Sequence, residues 1–176
     1  MFIFVLKLCD DGKKSTQELL ETGEMVSLYS PRFEGEEYTE FEKFLLAYKD
    51  KEEYAVDLGV IFARLNVIKE NFAEDRYFRY EGTCSDRVQA LPAKFLDSSR
   101  LRVYCIVISR KVVILGNGGT KSTATYEEDP YLKKCVETLQ KIDFEIKMRE
   151  NRKMIIIKGS QLEGELGFYI KEEDEL

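Results

Sequence analysis

Two consecutive runs rich in valine and isoleucine occupy the middle of the sequence, within residues 101–115, and meet at Ser109-Arg110-Lys111. β-Branched and aromatic residues at this density favour extended strands, and the short polar segment between the runs favours a tight turn. Neither run approaches the length of about 18 apolar residues that a membrane-spanning helix needs. The pattern therefore predicts an antiparallel hairpin at the centre of a sheet.

Alternation along the first run divides its side chains between two faces of that sheet. Leu101, Val103 and Cys105 share one face, whereas Arg102 and Tyr104 share the other, because successive side chains of a strand point in opposite directions. We expect the cysteine face to be the core. Arg102 and Tyr104 are then expected to point outward.

Helical periodicity appears on both sides of the hairpin. Apolar residues spaced three and four apart predict one helix of roughly three turns from Tyr38 and a second from about residue 53 to residue 72. Pro130, preceded by Asp129 as an N-cap, marks the start of a third amphipathic helix that ends near Glu150. A helical hairpin and a C-terminal helix are therefore expected to cover the sheet.

The two ends of the sequence predict shorter elements. Residues 2–8 and 25–29 are apolar enough for strands, and residues 15–18 have the Ser-x-x-Glu spacing of a capping box, which predicts a short helix. Two further short strands are expected at 154–159 and 166–170.

These elements predict an α+β fold for a single domain over residues 1–176, with an antiparallel, twisted sheet of about five strands. Within it, residues 1–37 would supply accessory N-terminal strands and residues 38–149 the core. Residues 150–176 would supply accessory C-terminal strands and an acidic tail.

Histidine and tryptophan are both absent from the sequence. Their absence excludes Ser-His-Asp and Cys-His nucleophile pairs and imidazole metal ligands. The four cysteines are widely spaced and form no C-x-x-C motif, so we expect reduced, mostly buried thiols and no metal site. Catalysis, if present, must use lysine, arginine, tyrosine, carboxylates or cysteine.

The N-terminal segment MFIFVLKL has no basic region before its apolar residues and no small-residue cleavage site, so it does not have the pattern of a secretory signal. Together with the shortness of every apolar run, this favours a cytoplasmic protein without a membrane partner.

Charge is unevenly distributed along the chain, whose formal net charge is -6. The segment from Arg76 to Ser122 carries nine basic and three acidic residues, and the rest of the chain is correspondingly acidic. One interpretation is a cationic binding face on an acidic body. The other is that basic strand residues lie beside acidic helix residues and are neutralised locally.

Five side chains on or beside the predicted hairpin could form such a face. Arginine and lysine can clamp a scissile phosphate, and tyrosine can assist proton transfer, so RNA cleavage does not require histidine. Arg79 could contact phosphate as well, or could seal the sheet edge. Solvent-facing basic residues also occur without any function. The five are Lys94, Arg100, Arg102, Lys121 and Tyr126.

A glycine-rich segment, ILGNGGTKST, follows the second run of the hairpin. A phosphate-binding P-loop needs glycine directly before its lysine and a helix that begins at the next residue. Here Thr120 precedes Lys121, and Leu115 occupies the first glycine position. We therefore expect no nucleotide cofactor, and we expect the glycines to permit positive φ angles and the close approach of a partner.

The order of elements over residues 38–149 resembles the core of the RelE/HigB-like type II toxins, of the RelE/ParE superfamily. The likeness is carried by the L-R-x-Y-x-I strand at Leu101, the V-V-I-L partner strand, the loop with Lys121 and the acid-Pro entry to a helix at Pro130.

The resemblance implies ribosome-dependent cleavage of mRNA and inhibition by a protein antitoxin. Arg102 matches the arginine that follows leucine in the central strand, and Lys121 matches the first lysine of the loop. The alternative is a non-enzymatic module that binds an acidic or antitoxin-like partner through a cationic sheet face. For the first function we assign catalytic roles to Arg102, Lys121 and Tyr126 and RNA binding to Arg100, Lys94, Tyr104 and Arg79.

Overall fold

The computed structural model describes residues 12–92 and 100–171 of the chain. Within them the strands are β1 (Gly12–Thr22), β2 (Ser27–Phe33), β3 (Arg79–Tyr80), β4 (Val88–Leu91), β5 (Leu101–Ser109), β6 (Val112–Thr120), β7 (Ile155–Lys158), β8 (Gln161–Gly164) and β9 (Gly167–Lys171). The α-helices are α1 (Glu40–Tyr48), α2 (Ala55–Glu70) and α3 (Pro130–Asn151). Short 3₁₀ helices cover Glu52–Tyr54, Asp75–Tyr77 and Tyr126–Glu128.

Seven strands form one sheet in the order β3-β4-β5-β6-β2-β1-β9, and β7 pairs with β8 in a separate sheet. The α+β fold class is confirmed. The sheet is mixed rather than purely antiparallel, because β2 pairs with β6 in parallel. Parallel pairing needs a long connection between the two strands, and here that connection contains two helices and three strands.

The central hairpin forms as predicted, with Leu101 opposite Thr120 and Ile106 opposite Ile114. Its second strand continues through the glycine segment to Thr120, and the positive-φ glycines of the described residues lie elsewhere. The expectation of positive φ in this segment is therefore wrong.

These glycines pack against other parts of the same chain and not against a partner. A Cβ at Gly116 would lie 2.8 Å from the Leu139 side chain of α3, and a Cβ at Gly118 would lie 1.9 Å from the carbonyl oxygen of Arg102. Both distances are far below ordinary van der Waals contact, so the absent side chains let α3 and β5 pack closely against β6.

The three helix predictions are confirmed; α1 and α2 are shorter than predicted, and α3 has the predicted bounds to within one residue. Thr39 caps α1 in a reciprocal capping box with Glu42. Asp129 caps α3 by accepting hydrogen bonds from the backbone N–H groups of Tyr131 and Leu132. These caps satisfy amide groups that the first turn of a helix leaves unpaired.

The helix predicted at residues 15–18 is wrong, because those residues lie inside β1, which pairs with β2 on one side and β9 on the other. Ser15 and Gln17 are buried on one face of this strand. Backbone pairing on both edges outweighs a local capping signal. The predicted C-terminal strands are present as β7 and β9, whereas residues 2–8 lie outside the described residues.

Both faces of the large sheet are covered. One apolar cluster joins the sheet to α3 and includes Ile106 and Val136, and a second joins it to α1 and α2 and includes Val103 and Phe44. The central strands are consequently buried on both sides. Across residues 12–92 and 100–171, every helix is too short or too polar to cross a bilayer.

Of the cysteines that the structure describes, all three are unpaired thiols: Cys105 and Cys135 are buried, as expected, whereas Cys84 is exposed.

Candidate functional site

Arg102 and Tyr104 lie on the same face of β5, as the alternation predicts, but neither points into solvent. The exposed fraction is 1% for Arg102 and 0% for Tyr104. The prediction of an outward orientation is wrong because α3 covers this face of the sheet. Alternation along a strand assigns faces, but it does not tell which face a distant helix will cover.

Arg102 is held by a carboxylate from a neighbouring part of the sheet. Its Nη1 atom donates a hydrogen bond to Oε1 of Glu81 at 2.5 Å, and the Glu81 side chain is only 7% exposed. Burial lowers the pKa of the Arg102 guanidinium, although the charge of Glu81 opposes that shift. The ion pair is therefore desolvated, and removing either member should lower the stability of the fold strongly.

Arg79 contacts the same carboxylate from the solvent side. Its Nε atom lies 3.3 Å from Oε1 of Glu81, and half of its side chain is exposed (51%). Arg79 and Glu81 are two residues apart at the end of β3, so they point to the same face of the sheet. Glu81 thus connects a buried guanidinium to an exposed one.

Lys121 adds a third positive charge next to this pair. Its backbone N–H donates to the carbonyl oxygen of Arg100 at 2.8 Å, which fixes the chain directly after β6. Burial, followed by the positive charges of Arg102 and Arg79, lowers the pKa of the Lys121 ammonium. We call Arg79, Glu81, Arg102 and Lys121 the cationic cluster; it holds three positive charges and one negative charge.

Tyr104 and Tyr126 form the aromatic side of the cluster, with ring centroids 6.3 Å apart in an edge-to-face arrangement. Burial raises the pKa of the Tyr104 hydroxyl. Among the described residues this buried hydroxyl has no hydrogen-bond partner. An unsatisfied buried hydroxyl costs free energy, so this group lowers the stability of the fold.

Two other predicted residues lie apart from these contacts. Arg100 is exposed, and its backbone N–H, rather than its side chain, is fixed by the carboxylate of Asp57 at 3.1 Å. Lys94 lies outside the described residues. The structure thus brings Arg79, Arg102, Lys121, Tyr104 and Tyr126 together, and their catalytic or RNA-binding roles stay predictions.

Glu81 is the member that sequence reasoning did not single out. The signal was the alternating R-x-E pattern at residues 79–81, which places opposite charges on one face of a strand. The pairing of Glu81 with Arg102 could not be found in this way because it joins separate strands that are not neighbours in the sheet order.

The cationic cluster offers guanidinium and ammonium groups beside the Glu81 carboxylate, and Tyr126 adds a phenol next to it. Such groups bind phosphate oxygens and stabilise the charge that develops on them. In the part of the chain that the structure describes, no three cysteine, aspartate or glutamate side chains are grouped to hold a metal ion.

The glycine segment before Lys121 is a strand, and the next α-helix begins only at Pro130. The strand-loop-helix geometry of a P-loop is therefore not present between these residues.

No protein-family model, curated protein or solved structure matches this chain.

Proposed function

We propose that this protein is a toxin-like RNA-binding protein that holds the phosphate backbone at the cationic cluster and cleaves mRNA on the ribosome. The observation that carries the proposal is that Arg79 and Arg102 contact the carboxylate of Glu81 and that Lys121 lies within the electrostatic reach of all three, with Glu128 as a further acidic neighbour of the lysine. This local excess of positive charge lies within a chain whose formal net charge is -6. Segregation of this kind directs an anionic ligand to one place.

Arg79 and Lys121 are the residues that can reach a phosphate, since both are partly accessible. Arg102 is buried and acts through Glu81, which it holds in position. Arg100, exposed beside Lys121, can contact a neighbouring phosphate.

Cleavage would proceed by attack of the RNA 2′-oxygen on the adjacent phosphorus. The 2′-oxygen loses its proton to water, the bond from phosphorus to the 5′-oxygen breaks, and that oxygen gains a proton from Lys121. The lowered pKa of the Lys121 ammonium makes it a better proton donor than an ordinary lysine. Arg79 would stabilise the charge on the phosphate, and Tyr126 would hydrogen-bond the attacking oxygen.

The resemblance to RelE/HigB-like toxins supports the same function. The chain order α1, α2, β5, β6 and α3 agrees with the order that the resemblance implies. A toxin of this class would meet ribosomes in the cytoplasm and would be inhibited by an antitoxin whose acidic segment covers the cationic cluster.

Binding is tested by fluorescence anisotropy with a labelled 12-nucleotide single-stranded RNA. We expect Lys121→Glu and Arg79→Glu each to weaken binding about tenfold or more and to reduce the salt dependence by roughly one phosphate contact. Lys133→Glu, at a half-exposed position on α3, is the matched control. It changes the net charge by the same amount as the two test variants and should leave RNA binding nearly unchanged. Equal binding by all four proteins would overturn the proposal.

Cleavage is tested by mapping mRNA ends in a translating extract and by growth after induction. Loss of cleavage in Lys121→Met, with binding reduced only a few fold, is the expected result. Binding of a polyglutamate peptide in preference to RNA, without cleavage, would replace the proposal with the protein-interaction alternative.

A further inference from the structure

A second group of side chains surrounds the end of β6, next to the cationic cluster. Tyr48 of α1 and Tyr54 of the 3₁₀ helix Glu52–Tyr54 pack edge to face, with ring centroids 5.1 Å apart. Their hydroxyls lie 3.4 and 3.5 Å from Oγ1 of Thr120. Thr120 directly precedes Lys121, so these aromatic rings lie beside the chain segment that carries the proposed phosphate ligand.

Tyr131, in the first turn of α3, is the exposed member of this group. Half of its surface is accessible (52%), yet its hydroxyl donates to Oδ1 of Asn117 at 3.1 Å. Asn117 is itself fixed, since its Nδ2 donates to Glu40 at 3.1 Å and its Oδ1 accepts from the backbone N–H of Gly118. The Tyr131 ring is therefore exposed and also held in one orientation.

Gly119 lets the rings approach the end of the strand. A Cβ there would lie 3.3 Å from both the Tyr131 ring and the Tyr48 hydroxyl. Gly119 and Lys121 are two residues apart, a separation of roughly 7 Å along extended chain. The Tyr131 ring and the Lys121 backbone therefore lie at the same end of β6.

We propose that Tyr131, held in place by Asn117, is a stacking site for one unpaired base of single-stranded RNA whose phosphate is held at Lys121. This inference rests on the proposed function and adds to it a residue that binds a base. Stacking on an aromatic ring tolerates every base and needs the base to be free of its partner strand. A rigid ring also loses little conformational entropy when the base binds.

The test compares a 12-nucleotide oligouridylate with an oligomer of the same length and charge that lacks bases. Tyr131→Leu should weaken oligouridylate binding about tenfold and leave binding of the abasic oligomer unchanged. Tyr131→Phe keeps the ring and should bind within about twofold of the unmodified protein. Tyr169→Leu, on β9 with 40% of the residue exposed, is the matched control and should change neither affinity.

The outcomes separate this inference from the proposed function. Oligouridylate binding that is weakened by Lys121→Glu but unchanged in Tyr131→Leu would overturn the stacking site and leave the RNA-binding function standing. Equal affinity of the unmodified protein for oligouridylate and for the abasic oligomer would also overturn the stacking site and leave the RNA-binding function standing. If neither oligomer binds, the proposed function fails, and the stacking site fails with it.

Discussion

The Nη1 atom of Arg102 lies 2.5 Å from Oε1 of Glu81, and both side chains are almost completely buried. Glu81 in turn contacts the half-exposed Arg79. Arg102 holds the Glu81 carboxylate in place, and that carboxylate in turn positions Arg79. In this arrangement the buried arginine serves the site indirectly, and the exposed one is available to a ligand.

The Arg102–Glu81 pair should show strong energetic coupling. Arg102→Met and Glu81→Leu should each lower the free energy of unfolding by about 3 kcal/mol, because each removes one member of a desolvated ion pair. The double variant should cost less than the sum by at least about 2 kcal/mol. Urea unfolding of the four proteins measures this cycle.

Lys133→Met is the control for that cycle. Lys133 and Glu137 form a more exposed pair with a 3.6 Å separation, so the substitution should change stability by less than about 1 kcal/mol. Strictly additive losses in the Arg102–Glu81 cycle would mean that the two charges do not depend on each other.

Tyr104→Phe should raise stability and leave RNA binding unchanged. The hydroxyl has no partner among the described residues, so its removal relieves a buried polar group and should stabilise the fold by about 1 kcal/mol. RNA affinity should stay unchanged, because the Tyr104 side chain is completely buried and cannot contact bound RNA. Thermal unfolding and RNA anisotropy on the same sample measure the two effects.

Tyr29→Phe is the matched comparison, because the Tyr29 hydroxyl accepts a hydrogen bond from the backbone N–H of Leu162 at 2.9 Å in a buried setting. This substitution should destabilise the fold by about 1 kcal/mol. A loss of stability in both variants would show that the Tyr104 hydroxyl has a partner in solution.

The parts of the fold that could be predicted have strong local signals. The hairpin of β5 and β6 follows from two dense β-branched runs, and the start of α3 follows from Asp129 and Pro130. The Ser15–Glu18 capping pattern is equally local but was misleading, because β1 is determined by backbone pairing with β2 and β9, which lie elsewhere in the chain.

The candidate site shows the same division. Sequence alternation placed Arg102 and Tyr104 on one face of β5, and the structure agrees. Their burial depends on where α3 packs, and the importance of Glu81 depends on a contact between β5 and the end of β3. Neither contact can be predicted from the spacing of residues within a single helix or strand.

Acid should destabilise the protein partly through Asp86. Burial alone would raise the pKa of this carboxyl, but hydrogen bonds from the backbone of Thr83 and Val88 and from Gln140 outweigh it, so the pKa lies below its ordinary value. A depressed pKa in the folded state stabilises the fold above the unfolded-state value of about 3.9, and the stabilisation disappears as the pH falls through the folded-state pKa.

Asp86→Asn should therefore cost about 1 to 2 kcal/mol at pH 7 through its lost hydrogen bonds, and the difference from the unmodified protein should shrink as the pH falls below about 4. Urea unfolding at several pH values measures it, with Asp50→Asn at an exposed position as the control for net charge. A difference that stays constant over the whole range would contradict the assigned hydrogen bonds.

Two glycine substitutions should act in opposite directions. Gly59 lies inside α2 with open space around its Cβ position, so Gly59→Ala should stabilise the protein by about 1 kcal/mol through helix propensity alone.

A Cβ at Gly118 would lie 1.9 Å from the carbonyl oxygen of Arg102, so Gly118→Ala must push β5 and β6 apart and should cost about 3 kcal/mol. Because this displacement also moves Arg102, the same variant should bind RNA more weakly. Chemical unfolding together with RNA anisotropy tests both effects, and unaltered stability in Gly118→Ala would contradict the β5–β6 register on which the site depends.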